Sequence, residues 1–192
     1  MPIKIIRQNH QEIIGRGTVL LSSPPAADQT EDFYAGHIVE DAALLSRAHA
    51  MIGKEWKRDL DPSALQTAQA EFEAGTQSFL EEHGVQCVIT ISGMNEPGIE
   101  IRANAMASRG ETLELVRARL ALDFDLTTSR EKGETSGRDL GYDVQTVLLA
   151  LGPDERGFRK DAVVAGITDA VGLINAKLGV SETDKRTSET LD

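Results

Sequence analysis

Residues 85–105 decide how this chain reads: Val85-Gln86-Cys87-Val88-Ile89-Thr90-Ile91, then Ser92-Gly93-Met94-Asn95-Glu96-Pro97-Gly98, then Ile99-Glu100-Ile101-Arg102-Ala103-Asn104-Ala105. Val85, Cys87, Ile89 and Ile91 recur in period two, and so do Ile99, Ile101, Ala103 and Ala105. A period of two puts one set of side chains on one face of a strand. The Met94–Gly98 stretch between them is turn chemistry, so the segment reads as a β-hairpin.

Working outward, residues 3–7 and 17–22 read as short strands bounded by Gly15, Gly17 and the Pro24-Pro25 pair. Residues 30–57 read as one long helix, because Tyr34, Ile38, Ala42, Leu45, Ile52 and Trp56 fall at spacings of three, four or seven. A second helix follows, with Asp61 as N-cap, Pro62 in the first turn and Gly84 past its end. A link this short predicts an antiparallel helical hairpin.

Residues 112–128 carry two patterns. Leu113, Val116 and Leu120 suit a helix; Val116, Ala118, Leu120, Leu122, Phe124 and Leu126 suit a strand, and the longer match predicts a strand. Residues 127–141 read as a polar loop, and Val144–Leu151 as a strand apolar enough to be central. A last helix opens near Pro153 and carries the stripe Val164, Ile167, Val171, Ile174 and Leu178. The tail 180–192, nearly all Ser, Thr, Asp, Glu and Lys, reads as disordered.

These runs predict an α+β fold: an antiparallel sheet, with a meander of about four strands plus the short N-terminal strands, a helical hairpin and a C-terminal helix. One domain over 1–179 with a tail over 180–192 suits the 192-residue length. Hydrophobic content of 40% with 4% aromatics means a core of Leu, Ile, Val and Ala.

Cys87 is the single cysteine, so no internal disulfide can form, and its apolar setting reads as an inert buried thiol. The amino terminus does not read as a signal peptide, and no run approaches the ~18 apolar residues of a membrane span. Cytoplasmic residence is the default expectation. A net charge of −11 disfavours nucleic acid, whose phosphates reward Lys and Arg.

Three groups of residues could carry chemistry or contact. His37 and Asp41 share a helix face at i, i+4 and could offer two metal ligands, yet an ion needs a third or fourth. Asp123 and Asp125 share one face of the expected strand, where Asp139 and Asp143 could join them to hold Mg²⁺. Neither a phosphate loop nor a Gly-x-Ser-x-Gly motif is present. Ala162, Gly166 and Ala170 form a ridge of small residues for close contact, with another part of this chain or with another copy. These features predict a non-catalytic assembly or adaptor subunit, such as a phage-type structural or accessory protein, with no cofactor and with a protein partner or self-association. The alternative is a Mg²⁺-dependent phosphodiester or phosphoanhydride hydrolase built on the four aspartates.

Overall fold

The computed structural model describes residues 2–25, 34–54, 62–109, 111–128 and 142–178. Its strands are β1 (Ile3–Ile6), β2 (His10–Ile14), β3 (Val19–Ser23), β4 (His49–Gly53), β5 (Cys87–Gly93), β6 (Ile99–Ala103), β7 (Leu126–Thr128) and β8 (Gln145–Leu151). Its helices are α1 (Ala35–Ser46), α2 (Pro62–His83), α3 (Ala105–Arg109), α4 (Thr112–Leu120), α5 (Pro153–Arg156) and α6 (Lys160–Lys177). The Asp61 cap, most of the 127–141 loop and the 180–192 tail lie outside the described residues.

All eight strands join one sheet in the order β1-β2-β4-β3-β5-β8-β6-β7. Its centre, β4-β3-β5-β8, is parallel. The antiparallel pairs are β1-β2, β2-β4 and β8-β6, while β6-β7 is again parallel. The fold is therefore α/β with a mixed sheet, which corrects the expected antiparallel α+β meander.

Three misreadings produced that expectation. The first is β4. The supposed 30–57 helix stops at Ser46, whose hydroxyl bonds back to the Ala42 carbonyl, and Arg47 turns the chain with a left-handed φ of 57°. His49–Gly53 then runs as a strand paired on both sides. A central strand is apolar on both faces, so its residues extended the helical stripe without being helical. The chain accordingly alternates β3-α1-β4-α2-β5, and the expected helical hairpin is split by a strand.

The second is the hairpin. β5 and β6 do run antiparallel, but β8 lies between them, with Leu149 beside Ile91 on one side and Ile101 on the other. The third is 112–128, where α4 takes the place of the expected strand. Val116 and Leu120 are buried, whereas Ala118 and Leu122, counted as inward in the strand reading, are exposed.

The sheet separates two cores. On one face α1, α4 and α6 cover Val19, Leu21, Ile89, Ile91, Val147 and Leu149. On the other, Phe72, Phe79 and Leu80 of α2 cover Leu20, Met51 and Val88. Each fully buried Leu, Ile or Phe contributes roughly 1.5–3 kcal/mol, which makes these two layers the main source of stability.

Candidate functional site

In an open α/β sheet, ligands bind beyond the carboxyl ends of the strands, where connections from neighbouring strands part in opposite directions. Here that point lies between β3 and β5. The chain leaving β3 returns through α1 to β4 on one side; the chain leaving β5 goes on to β6 and β8 on the other.

The strand ends at this point are small or hydroxylated: Ser22 and Ser23 close β3, with Pro24 and Pro25 after it, Gly53 closes β4, and Ser92 and Gly93 close β5. Ser22 and Thr90 sit side by side in register on the α2 face. Both are buried, and the Thr90 Oγ1 has no hydrogen-bond partner among the described residues. Gly53 has no room for a Cβ because the Pro25 backbone nitrogen already occupies that place. At this end of the sheet the chain after β3 thus runs in direct contact with the end of β4.

Beside this point lies the β5–β6 turn, and α5 holds it. The Met94 N–H donates to the Leu151 carbonyl at 2.9 Å and the Gly152 N–H to Gly98 at 2.8 Å. Glu155 accepts the Gly98 N–H on Oε2 at 3.0 Å, while Arg156 Nη2 donates to the Met94 carbonyl at 3.1 Å. Glu155 and Arg156 are only 5% and 3% exposed, so their charged atoms meet backbone groups, and Glu155 Oε1 also the Arg159 guanidinium at 3.9 Å, rather than solvent. A buried charge is tolerated when it is hydrogen-bonded, and here the bonds fix a turn. The Gly152-Pro153 pair ahead of Asp154-Glu155-Arg156 reads as a helix start, but nothing in the linear pattern shows that the two charges fold inward.

The residues singled out from sequence fall elsewhere. His37 is exposed on α1, and Asp41 pairs with Lys160 at 2.6 Å, tying α1 to α6. Asp123 and Asp125 are exposed in the turn ahead of β7, level with the carboxyl end of β8. Asp143 is exposed at the other end of β8, roughly 25 Å away at a strand's rise per residue. Asp139 is outside the described residues. The expected Mg²⁺ cluster therefore does not converge. Gly166 is buried where a Cβ would lie 2.9 Å from Leu120 Cδ2, so the ridge of small residues meets α4 of the same chain at Gly166. Burial pushes the Cys87 thiol up to about 12, which leaves it protonated and inert at neutral pH.

A hydrolytic metal needs three or four N, O or S donors around one point. Among the described residues no three His, Cys, Asp or Glu side chains meet in that way, and the strand ends at the switch point supply hydroxyls. The described donor set does not fit such an ion. Among the same residues no helix is long and apolar enough to cross a membrane.

No protein family and no curated protein matches the sequence. Solved structures do match in fold. A bacteriophage poly-gamma-glutamate hydrolase superposes with a TM-score of 0.63 at 10% identity, covering 90% of this chain and 93% of its own. The catalytic domain of the CD27L endolysin that targets Clostridia difficile gives 0.53 at 12% identity, covering 82% and 98%. The catalytic domain of CwlV, an N-acetylmuramoyl-L-alanine amidase of Paenibacillus polymyxa, gives 0.51 at 13% identity, covering 85% and 99%. This finding overturns the expected non-catalytic assembly or adaptor subunit, along with its Mg²⁺-dependent phosphodiester or phosphoanhydride hydrolase alternative. What the chain shares with these hydrolases is a mixed α/β fold over nearly its whole described length.

Proposed function

We propose that the chain is a hydrolase of amide bonds, with its substrate lying at the carboxyl ends of β4, β3 and β5. The observation that carries this reading is the coincidence of a fold like that of these hydrolases with a switch point whose part-exposed strand ends are Pro24, Gly53, Ser92 and Gly93. Small residues let an extended peptide-like chain approach the sheet edge, and the Ser92 hydroxyl can bond its amides.

Charge selects among amide substrates. At −11 the protein repels a long polyanion such as polyglutamate, so a less highly charged cell-wall peptide is the better fit. In this reading Glu155 and Arg156 are positioning residues. They hold the Met94–Gly98 turn rigid, which keeps the substrate's amide at a fixed distance from the strand ends.

The test is direct. Purified protein is incubated with peptidoglycan fragments and with poly-γ-glutamate, with and without added zinc or magnesium, and newly exposed amines are counted. Release from the cell-wall peptide, faster than from the polyanion, supports the reading. No release from either substrate under any of these conditions would sink it.

A further inference from the structure

On the β4 side of the same switch point, on the neighbouring strand β2, sits an ordered set of charged side chains. Arg7 grips Glu12 with two nitrogens, Nε to Oε1 at 3.0 Å and Nη2 to Oε2 at 3.1 Å. Glu12 Oε1 in turn lies 3.0 Å from His10 Nε2. The imidazole stands edge-on to Phe72, with ring centroids 6.2 Å apart, and is 14% exposed. His10 pairs in register with Gly53, the glycine against which Pro25 packs. From His10 to the end of β3 is two strand spacings, roughly 10 Å.

We propose that His10 is the proton-transfer residue of this site, working through Nδ1 while Glu12 holds Nε2–H. A carboxylate bonded to one ring nitrogen fixes the tautomer and leaves the other nitrogen's lone pair to act as base. Burial works against the charge on Glu12, but its bonds to Arg7 and His10 outweigh that and hold the carboxyl below its ordinary range. Glu12 is therefore ionised, the state that orienting an imidazole requires. Other charged groups beside this set are Glu71 of α2, which Asn9 bonds, Glu82 of α2, whose charge acts on Arg7, and Lys54, whose ammonium donates to the Gln8 carbonyl. In the reaction, Nδ1 takes a proton from water as the water oxygen bonds to the amide carbon and the C=O π pair moves onto oxygen. The C–N bond then breaks, the pair reforms C=O, and Nδ1 returns its proton to the leaving amine. Amide and water become acid and amine, and the histidine ends neutral.

The inference rests on the hydrolase reading, and the experiment separates the two. Wild type, His10→Gln and Glu12→Gln are compared for kcat and KM across pH, and ring ¹⁵N shifts report the tautomer of His10. Expected is a loss of at least ~100-fold in kcat for His10→Gln with KM little changed. Glu12→Gln should lose less, and its His10 signals should show mixed tautomers. Wild-type cleavage that His10→Gln retains would overturn the role of His10 and leave the hydrolase reading standing. So would a wild-type ring protonated at Nδ1 alone. A wild type that cuts nothing overturns the hydrolase reading first, and the role of His10 with it, whatever its tautomer.

Discussion

Two single residues show how local space and burial set the behaviour of larger parts. A Cβ at Gly152 would stand 2.5 Å from the Glu96 carbonyl, 2.7 Å from Glu155 Oε2 and 2.8 Å from the Gly98 nitrogen. Two of those three atoms are backbone and cannot step aside. Gly152→Ala should therefore cost about 1–3 kcal/mol by overpacking, and loosen the turn that Glu155 and Arg156 hold. Urea unfolding measures the first effect and amide hydrogen exchange at Met94 and Gly98 the second; an unchanged variant would show that the turn is not closely packed. His49 tests burial. Its Nδ1 accepts the Gly15 N–H at 3.3 Å, and its ring stacks 5.2 Å from that of His83. Burial, then the neighbouring His83, hold its pKa below the ordinary 6.5. The unfolded chain therefore binds a proton before the folded one does. Stability from the neutral ring is complete above pH 6.5 and drains away as pH falls from there towards the lower folded value. Urea midpoints should drop between about pH 7.5 and 5.5, and His49→Gln should flatten that drop. An equal slope in the variant would place the pH dependence elsewhere. Nothing about His49 in the linear pattern separates a helix-stripe histidine from one on a central strand, so its partners are not legible there.

At the scale of elements, the chain announces some pieces and disguises others. Val144–Leu151 reads as a central strand because it is apolar on both faces, and that is where β8 lies. The same two-faced character in Ala48–Ile52 imitates a helical stripe, so β4 disappeared into α1 and took the parallel sheet with it. Periodicity records which side chains are buried, not what buries them. For α4 the deciding information is on another element. Leu120 packs over Gly166 of α6, and Val116 lies in the same core. This contact supplies a sharp prediction. On an open helix face, Gly166→Leu would stabilise by several tenths of a kcal/mol, because leucine is the better helix former. Against Leu120 the new side chain has no volume to occupy, and the cost should be about 1–3 kcal/mol. Gly166→Ala meets only the flexible end of Leu120, so its cost should be smaller. A Gly166→Leu protein more stable than wild type would show that α4 and α6 do not meet closely. The switch point was the least legible part. It is assembled from the ends of three strands, and the turn beside it is held by Glu155 and Arg156, some 60 residues further along the chain.

For the molecule as a whole, the balance of charge makes a prediction that separates two views of its surface. The ion pairs are mostly at the surface: Lys4 with Glu40 at 2.7 Å, Arg117 with Glu114 at 3.1 Å, Arg102 with Glu100 at 2.9 Å. Exposed pairs of this kind contribute about 0–1 kcal/mol each. If they governed stability, added salt would screen them and weaken the protein. Against them stands the excess of 31 acidic over 20 basic residues, a net charge of −11. Two like charges about 10 Å apart in water repel by roughly 0.4 kcal/mol, and a fold this acidic brings several such pairs within reach. Unfolding relieves that repulsion by spreading the chain, so it destabilises the folded state. Raising ionic strength from about 0.01 to 0.15 M shortens the screening length from about 30 Å to about 8 Å, which removes most of the longer-range repulsion. Ion pairs at contact distance are screened far less over that interval. More repulsion than attraction should therefore be lost, and NaCl should raise stability, by on the order of 1 kcal/mol at this charge. Urea is the denaturant to use, since guanidinium is itself a salt and would hide the effect. A midpoint that falls with NaCl would mean that the surface pairs outweigh the net charge.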